Sequence, residues 1–254
     1  MRENTGGQPQ IQSIVRAVAI LQCFAGGKER GLTEVSKMVG LHKSTTSGLI
    51  NTLKNVGFLE QDQRTGKLRL GLELFSLAVN ARRDLAQICE PYLNNLLEMT
   101  RETVNLAVLD SGRSEIVYIA KKETTQSVRI STSIGKRLPI YCTAIGKAIM
   151  SQMSVQQTDK LIENLEFVPF TDRTLPDKHT LRIELDAIRS VGFACDDEEF
   201  EPGLVCIAVP LLNSFSEPIG AISVSGPVMR MDAETKRRIA SMLCAEAAKI
   251  CKEI

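Results

Sequence analysis

Most kinds of chemical site would need residues that this chain has little of. Aromatic residues make up 4% of its 254 positions and there is no tryptophan, which excludes a platform that stacks the bases of single-stranded nucleic acid. There are two histidines, His42 and His179, and seven cysteines, at 23, 89, 142, 195, 206, 244 and 251, with no C-x-x-C pair among them. Neither a structural zinc site nor a disulfide framework is expected; reduced thiols are, with no metal and no cofactor. H-E-x-x-H, a nucleophile elbow and a glycine-rich phosphate loop are all missing. Cys206, His179 and Asp196 can be imagined as nucleophile, base and orienting acid, but nothing around them supports it, so no enzyme is expected. No apolar run reaches the length of a membrane span, and the opening MRENTGGQPQ has no apolar signal core. The expectation is a soluble cytoplasmic protein with no membrane partner and a disordered stretch over residues 1–10.

The formal net charge of +1 hides an asymmetry. Residues 1–73 hold ten Lys/Arg against six Asp/Glu, and the remainder 21 against 24. A basic front joined to an acidic rear suits a small module that meets a polyanion, attached to one that does not.

The front is organised around LTEVSKMVGLHKSTTSGLINTLKNV, residues 32–56. Val35, Met38 and Val39 have helical spacing, and Thr46, Leu49, Ile50 and Leu53 repeat it after Gly40-Leu41. Gly40 is the residue type that ends a helix left-handed. Thr33 is read as the N-cap of the first helix, and Ser44 or Thr45 as that of the second. This is a helix-turn-helix pattern, whose second helix enters the DNA major groove. Its outward face carries Lys43, Ser44, Thr45, Ser47, Gly48, Asn51 and Asn55, with Lys54 at its far end. Hydroxyls and amides of this kind reach base edges and phosphates, and lysines neutralise the backbone.

A preceding helix over Ile11–Ala25, with Ile14, Ala17, Val18, Leu21 and Ala25 on one face, would pack on this pair, ending at Gly26-Gly27. A hairpin follows, from Gly57 to Leu70, with a polar tip at 62–66 and positive charge at Arg64, Lys67 and Arg69. Three helices and a charged hairpin make a winged helix. LELFSLAVNARR, 72–83, has an apolar stripe of Leu74, Leu77, Ala78 and Ala81 and reads as a linker helix that packs on a partner subunit. A second helix runs from Asp84 towards Arg101, with Pro91 interrupting it or starting a turn.

In the rear, strands are predicted at Thr103–Asp110, Glu115–Lys121, Val128–Ile134, Leu204–Leu212 and Pro218–Ser225. Helices are predicted at Thr143–Met153, Val155–Leu165, Thr180–Val191 and Asp232–Lys252. Hairpin-linked strands with helices outside them indicate an α+β domain with a mostly antiparallel sheet. Three polar patches draw notice there. Thr143-Ala144-Ile145-Gly146 opens a helix whose amides can hold an anion. Asp196–Glu199 reads as a loop feeding a strand. Ser223 and Ser225 alternate on one face of an otherwise apolar strand.

The chain resembles the IclR-type bacterial transcriptional regulators from Gln12 almost to its end. The resemblance is carried by LHKSTTSGLINTL, TGKLRLG, ETVNLAVLD, GKRLPIYCTAIGKA, GFACDDEEFEPGLVCIAVP and AISVSGP, in that order. It implies a winged-helix DNA-binding domain (11–71), a linker helix (72–83) and a GAF-like effector-binding domain (84–254). It also implies homodimers or homotetramers that bind double-stranded operator DNA and control genes of small-metabolite use, more often by repression. By resemblance the effector is held by Ala144, Ile145, Asp196, Cys206, Ser223 and Ser225, with Ile130, Leu138 and Leu204 as an apolar wall. The departure is Gly48, where the family commonly has Arg. Glycine costs about 1 kcal/mol of helix stability relative to Ala and removes a guanine-reading side chain.

Overall fold

The computed structural model describes residues 11–25, 27–79, 83–129 and 132–254, and the chain divides into two units between Arg83 and Asp84. Residues 1–10, Gly26, Ala81 and Ile130 thus lie outside the described residues. In the first unit the elements are α1 (Gln12–Gln22), α2 (Leu32–Val39), α3 (Lys43–Asn55), β1 (Leu59–Gln61), β2 (Leu68–Leu70) and α4 (Leu72–Val79). Ile20, Phe24, Val35, Ile50, Leu53, Leu59 and Leu68 form its core, each aliphatic side chain contributing about 1.5–3 kcal/mol of burial.

Gly40 takes the left-handed conformation (φ 67°) and its N–H donates to the Ser36 carbonyl, turning α2 sharply into α3. The Ser36 hydroxyl reinforces the turn by donating to the Leu41 carbonyl at 2.7 Å. Ser36 is buried with Val35, whereas Met38 is exposed, contrary to the expected stripe. Nor is Thr33 a cap: Gly31 is the N-cap of α2, and its N–H donates to the Glu34 carboxylate at 3.1 Å. His42, without a side-chain bond, is the N-cap of α3, so Ser44 and Thr45 sit in the first turn. In α1 Ile20 is buried, as are Cys23 and Phe24 in the turn that follows it, while Ile14 and Val18 face outwards. That helix is apolar over most of its circumference, so periodicity could not choose a face. The partners available at α2 and α3 did.

The second unit contains α5 (Arg83–Thr100), β3 (Thr103–Asp110), β4 (Glu115–Lys122), β5 (Arg137–Pro139), α6 (Ala144–Ser151), α7 (Val155–Glu163), α8 (Lys178–Val191), β6 (Ala194–Asp197), β7 (Leu204–Leu212), β8 (Pro218–Pro227) and α9 (Ala233–Ile250). Six strands form one antiparallel sheet in the order β5-β4-β3-β8-β7-β6. Strand alternation gives it two faces. Val104, Leu106, Val205, Ile207, Ile222 and Val224 meet α5 and α9. Ala107, Ala194, Ala208 and Ala221 meet the layer of α6, α7 and α8. Two expectations fail here. None of the described residues of Val128–Ile134 lies in a strand; the carbonyls of Val128 and Thr132 accept from Arg230 and Lys121 side chains, and Arg137–Pro139 pairs with β4 instead. The Asp196–Glu199 run is not a solvated loop, because Asp196 lies within β6 and both Asp196 and Glu199 are buried. Pro91 remains inside α5 without breaking it. It sits on the exposed face, where water can take the carbonyl its missing N–H leaves.

The alanine floor lets α6 approach the sheet, and Gly146 lets it approach the preceding segment. A Cβ at Gly146 would lie 2.1 Å from the Ile140 carbonyl oxygen, whereas one at Gly48 of α3 would meet nothing within 4 Å. Gly146→Ala should therefore cost about 2–3 kcal/mol by forcing backbone apart, while Gly48→Ala should gain roughly 1 kcal/mol. Denaturant unfolding of the two variants checks both signs.

Candidate effector cavity and nucleic-acid face

The sheet face beneath α6 carries a row of polar side chains. Asp196 of β6 pairs in register with Cys206 of β7, and Cys206 with Ser225 of β8. One step along, Ser223 stands opposite Asn105 of β3. All five positions have the parity that points away from α5 and α9. Where α6 begins above this row, the Thr143 hydroxyl accepts the Gly146 N–H at 3.3 Å. The amides of Ala144 and Ile145 precede any partner within the helix.

These groups enclose a cavity lined by Leu138, Ala144, Ile145, Asp196, Leu204, Cys206, Ser223 and Ser225 together with Tyr118, Thr132, Lys136, Thr143, Phe200 and Glu201. Eight of the ten expected effector positions are thus brought to one space. Gly146 is not a lining residue; its amide is committed to Thr143 and its face to Ile140. Ile130 lies outside the described residues. Sequence reasoning missed Tyr118, although its inward position in the alternation of EIVYIAK was a signal. It also missed Thr132, which lies within the range read as a strand, and Lys136, two residues beyond that range. The Thr132 hydroxyl donates to Asn105 Oδ1 at 2.7 Å, and Asn105 Nδ2 donates to Ser225 Oγ at 3.4 Å, so that segment is tied to the polar row.

The electrostatics of the cavity are set by Asp196, which is 2% exposed. Its Oδ1 accepts the N–H groups of Glu199 (2.8 Å) and Phe200 (3.4 Å). Burial, and then the Glu199 carboxylate, raise its pKa from 3.8 to about 7, against the pull of those N–H groups and of Lys147. Burial, with Asp196 behind it, pushes the Cys206 thiol well above its ordinary range, the reverse of what a nucleophile needs. His179 is exposed in the first turn of α8 and is not a lining residue. Among the described residues no group of three or more His, Cys, Asp or Glu could hold a metal ion.

In the first unit, Lys43, Ser44, Thr45, Gly48 and Asn51 are exposed on α3 and Ser47 is half-buried. Lys54 instead donates to Gln61 of the hairpin at 2.6 Å, and Arg69 pairs with Glu60 across it at 3.1 Å. Arg64 and Lys67 remain exposed at the tip, where the Asp62 carboxylate accepts the Arg64 and Thr65 N–H groups. The same unit exposes Leu72 (77%), Phe75 (70%) and Leu77 (55%) on α4.

A carboxyl whose folded-state pKa is raised loses stability as pH rises. Between about 4 and about 7 the unfolded chain is ionised while the folded one must hold its proton, and above that the penalty is complete. Asp196→Asn keeps an acceptor at Oδ1 and cannot ionise. Its stability relative to the parent should be greater at pH 8 than at pH 5, by on the order of 2 kcal/mol. Denaturant melts of both proteins at the two pH values measure the difference.

The chain matches the family "Bacterial transcriptional regulator IclR C-terminal" over residues 77–252 and "IclR helix-turn-helix domain" over residues 13–63. It is 33% identical over 246 residues to the HTH-type transcriptional regulator KdgR of Escherichia coli, covering 96% of this chain and 93% of that protein. With the Transcriptional repressor IclR of the same organism it is 33% identical over 244 residues, covering 95% and 89%. A solved structure of an IclR homolog from Microbacterium hydrocarbonoxydans, complexed with 4-hydroxybenzoate, superposes with a TM-score of 0.84 over 94% of this chain and 98% of that one, at 22% identity. At that identity the likeness concerns the fold. No helix among the described residues is long and apolar enough to cross a membrane. With two family domains in order and relatives matched along nearly their whole length, this chain belongs to the IclR family of DNA-binding transcriptional regulators, which are not enzymes.

Proposed function

We propose that the protein is a cytoplasmic repressor of genes for small-metabolite use, which binds a palindromic operator as a dimer or tetramer and is modulated by a small carboxylate-bearing effector. The observation that carries the effector reading is the concentration of hydrogen-bond donors in one cavity. Helix-terminal amides at Ala144 and Ile145 would receive the carboxylate, and the Ser223 and Ser225 hydroxyls would orient it. Asp196 would accept from a ligand hydroxyl or carry a proton itself. The relative named as a repressor supports the sign of regulation, and the acid bound by the Microbacterium homolog supports the ligand class. The 11–71, 72–83 and 84–254 division would give the DNA, coupling and effector parts.

On DNA, the first turn of α3 (Lys43, Ser44, Thr45) with Ser47, Gly48 and Asn51 would face the major groove, and Arg64 and Lys67 the flanking phosphates. Leu72, Phe75 and Leu77 are too apolar to remain in water and would pack on a second subunit. Selection from random duplexes should enrich two half-sites related by two-fold symmetry. Lys43→Ala or Arg64→Ala should weaken all sequences and flatten the salt dependence, Asn51→Ala should change the preferred bases, and Leu77→Asp should leave single-half-site affinity. Enrichment of no motif at low salt would refute the DNA reading.

A thermal-shift screen of organic, sugar and aromatic acids tests the effector reading. A binder should change operator affinity by about 1–3 kcal/mol of coupling, and Ser223→Ala should lose that response while keeping operator binding. A neutral compound that binds best, with acids inert, would overturn the carboxylate assignment.

A further inference from the structure

Behind Asp196, out of the cavity lining, the protein buries more acid than one buried lysine balances. Lys147 of α6 is fully buried, and its ammonium pairs with Glu199 and, at 3.2 Å, with Glu184 of α8. Glu184 is partly exposed (35%), so water screens it. Glu199 is buried, and its Oε2 has no hydrogen-bond partner among the described residues. Asp196 adds a second buried carboxyl three residues away. Ionised together, Lys147, Glu199 and Asp196 would leave a net negative charge in a space with little water. Burial of uncompensated charge is avoided by taking a proton.

The surroundings of Asp196 offer no other compensation. Glu199 and Glu201 face it from the turn after β6, Lys147 from α6, Cys142 from the segment before α6, Cys206 from β7 and Tyr118 from β4. Burial pushes both thiols and the phenol upwards, with Asp196 adding to each, so these three stay neutral. Lys136 stands at the cavity wall but is exposed. Lys147 is committed to the two glutamates, which outweigh the effect of burial and keep it charged. Oδ1 of Asp196 is taken by two N–H groups, leaving Oδ2 without a protein partner among the described residues.

We propose that Asp196, with Glu199 behind it, retains one proton near neutral pH, and that a carboxylate effector binds only with this proton in place. Oδ2–H then donates to a ligand oxygen, beside the Ser223 and Ser225 hydroxyls and the α6 amides. When the solution has removed the proton, binding takes one H⁺ back from the buffer. This inference rests on the carboxylate reading above and adds its proton stoichiometry: a ligand that offers acceptors is favoured, and one bearing an ammonium group is refused.

Two measurements on the full-length protein test it. In the ligand-free protein, ¹³C-carboxyl titration of labelled aspartate, assigned with Asp196→Asn, should show Asp196 protonated at pH 6 and losing its proton around neutrality. Calorimetry with acetate and with 4-hydroxybenzoate should then show affinity falling towards about tenfold per pH unit above that titration. At pH 8, buffers of different ionisation heat should report uptake approaching one proton per acid bound. In Asp196→Asn the pH dependence should vanish, whatever the absolute affinity. Asp196 ionised at pH 6 would overturn this inference and leave the carboxylate reading standing. Parent affinity that is constant from pH 6 to 8.5, or ethylammonium binding with proton release, would overturn it as well. A protonated Asp196 in a cavity that takes neither acid at pH 6 would sink the carboxylate reading, and the inference with it.

Discussion

The Ile140 carbonyl oxygen stands where Gly146 would carry a Cβ, and the placement of α6 follows from that contact. A helix held this close to the sheet needs a floor of small side chains, which Ala107, Ala194, Ala208 and Ala221 provide. It also brings the first amides of α6 down to the polar row on the strands, and drives Lys147, one residue further, out of water altogether. A side chain at 146 would lift the helix and separate all three.

A buried lysine is tolerated because carboxylates from two different elements meet it, Glu184 from α8 and Glu199 from the turn after β6. Such clusters add little net stability, since desolvation opposes the attraction. What the cluster does is link α6, α8 and the turn after β6 through one ammonium group. The carboxyl left over, Asp196, opens onto the cavity. Packing and ligand chemistry are thus joined through a charge count.

In the basic unit, position decides which charges remain available. Lys54 and Arg69 are both engaged within the unit, one with Gln61 and the other with Glu60. Lys43, Arg64 and Lys67 have no such partners among the described residues and stay in water. Of the positive charges read on the second helix and the hairpin, the ones left unengaged lie at the start of α3 and at the tip of the hairpin.

Local patterns in the sequence determined the turn at Gly40, the buried face of α3, the β3–β4 and β7–β8 strands and the alternation that puts Ser223 and Ser225 on one face. Each depends on residues close in the chain, where periodicity and turn chemistry act directly. The resemblance to a family supplied most of the cavity positions, and eight of them do line it. Tertiary structure decided what neighbours in space decide. It chose the buried side of α1, which is apolar nearly all round, and kept Pro91 inside α5 on a solvated face. It turned an acidic run that composition would place in water into a strand and a buried ion cluster, because Lys147, some fifty residues earlier, meets it there. It also brought Thr132 to the cavity from a range whose alternation resembles a strand, where distant side chains claim the Val128 and Thr132 carbonyls, and Lys136 from just beyond that range. Charge pairing and backbone capture between remote segments leave no local signature, so only the folded chain could reveal them.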